Sequence, residues 1–115
     1  MSLWLLDASV LLASEDSDDE QHVDASRLLR GGDSLATLDL AFYEVTNVAV
    51  RAWRDVAAAH RLRQRVAAVA EDGGLVHADA ALLGDAVTVA EEQGISVYDA
   101  AYVVAARNSL RQLVS

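Results

Sequence analysis

Short apolar runs alternate along this chain with longer segments in which apolar residues recur every three or four positions. Ser2 to Leu6 is a nearly continuous apolar run that stops at Asp7, the pattern of a strand buried on both faces. Leu35-Ala36-Thr37, Leu75-Val76-His77 and Gln112-Leu113-Val114-Ser115 give three more strand signals. Between them the spacing predicts helices. One covers Ala8 to Ala13; another, Gln21 to Arg30, follows an acidic loop at Glu15 to Glu20 and turns His22, Ala25, Leu28 and Leu29 inward.

A long helix from about Asp39 carries Val45, Val48, Ala49, Ala52, Trp53 and Val56 at helical spacing. The next, to about Glu71, carries Ala59, Leu62, Val66, Val69 and Ala70, and Gly73-Gly74 ends it. Asp79 caps a helix with Leu83, Ala86, Val87 and Ala90 inward and Gly94 just past its end, and Ser96 opens a last helix to about Asn108. Short strands alternating with amphipathic helices predict an α/β fold, a three-layer α/β/α sandwich around a central parallel sheet.

The 115 residues are those of one domain, and 53% apolar residues supply its core. The absence of Cys excludes disulfides, thiolate metal sites and thiol nucleophiles. Lys is absent too: all nine bases are Arg, which removes P-loop and Schiff-base chemistry and the lysine of a phosphoacceptor receiver domain. Eighteen acids leave a net charge of −9, so a nucleic-acid backbone is repelled unless metal ions mediate. Aromatics, at 5%, argue against binding by stacked bases. The apolar start lacks a basic region and is broken by Asp7, and no stretch approaches the ~20 residues of a membrane span; a soluble, cytoplasmic protein with no membrane partner is expected.

In a parallel sheet, ligands bind outside the carboxyl ends of the strands, which draws attention to Asp7, directly after the first; Glu44, early in the long helix, and Asp99, early in the last, are two further candidate acids. Singly, each has a plain structural reading. Asp7 caps the helix at Ala8. Glu44 is a solvated carboxylate facing Arg51. Asp99 is the acid of a Ser96-Val97-Tyr98-Asp99 capping box. His22, His60 and His77 have no ligand spacing and read as packing or surface residues. Arg51, Arg54, Arg61, Arg63 and Arg65 read first as a solvated face, with an RNA-backbone contact as the alternative.

Together the acids stand in a recognisable context. The strand ending in Asp7-Ala8-Ser9, the helical Leu-Ala-Phe-Tyr-Glu-Val-Thr-Asn-Val of Leu40 to Val48, and Ser-Val-Tyr-Asp-Ala-Ala-Tyr-Val-Val-Ala of Ser96 to Ala105 resemble the signature segments of PIN-domain proteins, in particular the VapC-type toxin ribonucleases. The resemblance runs through the whole chain in order and spacing. It implies that Asp7, Glu44 and Asp99 converge to bind Mg²⁺ or Mn²⁺ and hydrolyse RNA without a protein nucleophile. Hard cations take oxygen ligands, and clustered carboxylates need a cation between them. It further implies a cognate VapB-like antitoxin and a homodimer. Such proteins usually carry a fourth acid beyond a segment like Leu113-Val114-Ser115, so the sequence as it stands implies either an early end or an incomplete site. The alternative reading is a non-catalytic PIN-like protein-binding module.

Overall fold

The structure, a computed structural model, describes residues 2–72 and 74–115. Of the Gly73-Gly74 pair, Gly73 lies outside the described residues. The chain runs β1 (Leu3–Leu6), α1 (Ala8–Glu15), α2 (His22–Arg30), β2 (Ser34–Leu38), α3 (Leu40–Arg51), α4 (Val56–Asp72), β3 (Leu75–Val76), α5 (Ala80–Gln93), α6 (Val97–Asn108) and β4 (Gln112–Val114). All pairings are parallel, in the order β3-β2-β1-β4.

That order places the site. From β1 the chain steps to β2 and then β3 in one direction, and then returns across the sheet to lay β4 on the far side of β1. Parallel crossovers are right-handed, so the reversal sends the third crossover to the opposite face. Accordingly α1 packs against β1 and α4 against β2 and β3, whereas α6 covers β1, β2 and β4 with α5 against it. The reversal point lies between β1 and β4, where the connections diverge and leave a crevice at the carboxyl ends. Asp7 stands there, its amide donating to the Val114 carbonyl at 3.1 Å.

Leu5, Leu6, Leu11, Leu38, Val45, Leu62 and Val66 fill the interior without measurable exposure. Thr37, fully buried, donates its hydroxyl to the Leu6 carbonyl at 2.8 Å, which satisfies the polar atom and holds the end of β1 against β2 next to Asp7. At the other end of the sheet Arg111 donates to the carbonyls of Trp4 and Ser34, both at 3.1 Å, and to Ser34 Oγ at 3.0 Å. Among the described residues no helix is long and apolar enough to cross a membrane.

Three details differ from the periodicity. The inward face of α5 is Leu82, Ala86 and Val89, while Leu83 and Val87 are exposed, because the apolar arc of the helix is broader than its contact with α6 and the packing selects one edge of it. Val56 does not continue the long helix: Arg54 takes a φ of 54°, Asp55 Oδ1 caps the Ala58 amide at 3.0 Å, and an exposed Val56 begins α4. Glu15 belongs to the end of α1 rather than to the acidic loop. Its side chain is 8% exposed and accepts from Arg61 and Arg65 of α4, so two of the arginines expected on a solvated face are structural.

Candidate active site

Three helix N-termini gather at the carboxyl edge of the sheet, and each carries one of the singled-out acids. Asp7 is the N-cap of α1, Glu44 lies in the second turn of α3, and Asp99 in the first turn of α6. Unsatisfied amides and the positive ends of the helix dipoles favour negative charge at Asp7 and Asp99.

Asp7 performs its capping role and more. Its Oδ1 accepts from the Ser9 amide at 2.9 Å, the Val10 amide at 3.4 Å and the Ser9 hydroxyl, while Oδ2 takes none of these bonds. Glu44 does not face Arg51. Its Oε1 accepts from the Tyr102 hydroxyl at 3.0 Å, a bond that ties α3 to α6 and leaves Oε2 outside it. Only half of the capping box at Ser96 forms: Ser96 Oγ accepts from the Asp99 amide at 3.0 Å, and the Asp99 carboxylate stands exposed.

Electrostatics show that the three acids share one region. Burial raises the Asp7 carboxyl above its ordinary value against the opposing pull of its hydrogen bonds, and the charge of Asp99 adds to the rise. Burial likewise raises Glu44, opposed by the Tyr102 bond and reinforced by the charges of Asp7 and Asp99. Neither is lowered by a neighbouring Arg; among the described residues the Arg–carboxylate ion pairs form elsewhere, at Glu15. Tyr102, 2% exposed, is pushed far above the usual phenol range by burial and by Glu44, so it remains a donor.

The donor chemistry therefore suits a hard divalent cation: two half-buried carboxylates, each with one oxygen held by protein donors, and a third exposed carboxylate, with no cationic side chain lowering the half-buried two. The assembly is open, however. Among the described residues no three acid or His side chains stand close enough together to hold an ion as they are.

A family profile for the PIN domain matches residues 4–115. The chain belongs to the PIN domain family. Two solved structures share the PIN architecture. The toxin VapC20 of Mycobacterium tuberculosis, described as cleaving the sarcin-ricin loop, superposes with a TM-score of 0.71 at 22% identity, over 95% of this chain and 85% of that one. VapBC2 of Rickettsia felis, bound to a DNA fragment from its promoter, gives 0.63 at 12% identity, over 97% and 85%. At these identities the likeness is one of fold. No curated protein sequence matches this PIN domain.

Asp7, Glu44 and Asp99 stand out in the sequence, whereas Tyr102 emerges from the structure. Its signal is the one bulky residue in a stripe of Ala100, Ala101 and Ala105, three positions after Asp99 and so on the same helical face. Asp39, at the expected start of the long helix, has a second role. It makes no side-chain cap to α3; its Oδ1 accepts from the Ala78 amide at 3.1 Å, binding the end of β2 to the connection after β3.

Proposed function

We propose that this PIN domain is a metal-dependent endoribonuclease of the VapC toxin type, acting in the cytoplasm and neutralised by a VapB-like antitoxin. The observation that carries the reading is the grouping of Asp7, Glu44 and Asp99 at the reversal point of a PIN sheet, with the two half-buried carboxyls raised and no Arg lowering them. The fold shared with VapC20 and VapBC2 supports it.

In this reading Asp7 Oδ2, Glu44 Oε2 and the Asp99 carboxylate hold Mg²⁺ or Mn²⁺. Such an ion, when bound, stabilises charge on the scissile phosphate and acidifies an attacking water. The chain's own residues orient the ligands. Ser9 and the α1 amides fix Asp7, and Tyr102 fixes Glu44. The acidic surface also suits an antitoxin that presents Arg: there are seven acids and no base from Asp7 to Asp24. A homodimer is the expected assembly.

The test is cleavage of an end-labelled RNA oligonucleotide with Mn²⁺ and with EDTA. Cleavage with Mn²⁺ that EDTA abolishes supports the enzyme, and none in either condition removes it. One observation favours the second reading, a non-catalytic protein-binding PIN module: the acids are not already gathered tightly enough to hold an ion. The same experiment separates the two.

Tyr102→Phe probes the orientation of Glu44. Groups that orient a ligand typically change metal affinity by 10- to 100-fold, and the phenol makes one such bond. Loss of about tenfold in Mn²⁺ affinity by calorimetry is therefore expected, with the fold retained because the ring still fills its site. Equal affinity in the variant and the parent would show that Glu44 needs no such support.

A further inference from the structure

Beside Glu44, between α3 and α6, lies a cavity of about 390 Å³ lined by Leu40, Tyr43, Glu44, Asn47, Val48 and Tyr98. Each of its tyrosines directly precedes one of the acids: Tyr43-Glu44 and Tyr98-Asp99. Successive helical residues point about 100° apart, so when Glu44 turns toward Tyr102 its neighbour Tyr43 is left at the rim. Tyr43 is 76% and Tyr98 60% exposed.

The placement is selective. The chain has one Phe, two Trp and three Tyr. Trp4 is tied through its indole N–H to Asp33 at 3.0 Å, Phe42 and Trp53 pack against the core, and Tyr102 is buried. The two exposed aromatic side chains among the described residues thus both line this one cavity. A low aromatic content counts rings without locating them, and here location decides.

We propose that this cavity is a nucleobase subsite, in which Tyr43 and Tyr98 stack a base of single-stranded RNA beside the phosphate to be cut and Asn47 hydrogen-bonds its edge. The inference rests on the ribonuclease reading and adds to it the part of the substrate that is gripped. The chemistry selects a base over the backbone: the lining contains no Arg and includes the Glu44 carboxylate, which repels phosphate, whereas a base is neutral and offers a π face to a phenol ring. Asn47 provides both a donor and an acceptor amid apolar walls, the combination that tells one base edge from another. Glu44 belongs to both the cavity and the acid group, so a base held here is continuous with the phosphate at the acids.

The experiment measures binding of a fluorescent single-stranded RNA oligonucleotide by anisotropy, in a cleavage-silenced Asp99→Asn background, together with steady-state cleavage in the otherwise wild-type protein. Both tyrosines are exposed, so Tyr43→Ala and Tyr98→Ala should melt like their parent. Each is expected to weaken RNA binding about tenfold and to raise KM more than it lowers kcat, while Tyr98→Phe, which keeps the ring, binds like its parent. Asn47→Ala should alter which base is preferred there. Unchanged binding by both alanine variants overturns the subsite while leaving the ribonuclease intact. Loss of self-association in ultracentrifugation with unchanged RNA binding also overturns it and assigns the tyrosines to a second copy of the chain. A wild-type protein that neither binds nor cuts RNA overturns the subsite and the ribonuclease reading together.

Discussion

Asp99→Asn is expected to lower RNA cleavage by about a hundredfold or more in a protein that melts like the wild type. The two roles open to this residue separate cleanly at this substitution. The capping interaction runs from the Asp99 backbone amide to Ser96 Oγ, so an Asn side chain leaves it in place. A negative side chain in the first turn contributes about 0.3–1 kcal/mol through the helix dipole, and losing it is offset by relief of the repulsion that Asp99 exerts on Asp7 and Glu44. What Asn cannot supply is a charged oxygen for a divalent ion. Thermal melting by circular dichroism and cleavage of a labelled RNA with Mn²⁺ make the comparison. Full cleavage by the folded variant would reduce Asp99 to a residue of the helix start.

For Asp7 the expected result reverses with the metal. Its carboxyl is raised in the folded state, chiefly by burial and further by Asp99, so the native protein holds this proton more tightly than the unfolded chain does. Stability from this group is therefore fully present below the ordinary Asp range and is lost as pH rises through the raised value. At pH 7 in EDTA the ionised Asp7 is a burden, and Asp7→Asn, whose amide oxygen still caps the Ser9 and Val10 amides, should melt higher than the wild type. The gap should close as the pH falls toward about 4. Glu44, raised by burial and by both other acids, behaves with the same sign. Adding Mn²⁺ at a hundred times its dissociation constant stabilises the wild type by about 2.7 kcal/mol, on the order of 10 °C for a chain of this size. The Asn variant should gain little. Equal gains for both proteins would remove Asp7 from the metal site.

Much of the architecture is legible along the chain because its signals are local. Asp7, Asp79 and Ser96 each accept a backbone amide at the helix starts they were expected to cap, and Gly94 takes the left-handed conformation just past α5. These follow from side-chain chemistry within four residues. Four apolar runs separated by helices likewise imply a parallel sheet, since short strands joined by helical crossovers have no other compact arrangement.

Phase and partnership are different. Leu82, Leu83, Ala86, Val87, Val89 and Ala90 form an apolar arc on α5 that is broader than one contact covers, and packing on α6 buried the edge through Leu82, Ala86 and Val89 and left Leu83 and Val87 exposed. Glu15 looked like one more acid of a solvated loop until α4 brought Arg61 and Arg65 against it across 46 and 50 positions of sequence. The caps and the succession of strands and helices could be read from the chain, and the three acids singled out, because each rests on neighbouring residues or on a family pattern kept in order. That Tyr102 holds Glu44 from 58 positions away, and that Tyr43 and Tyr98 line one cavity, emerges only from the packing. Contacts of that range are fixed by how the crossovers pack on the sheet, and no local periodicity encodes them.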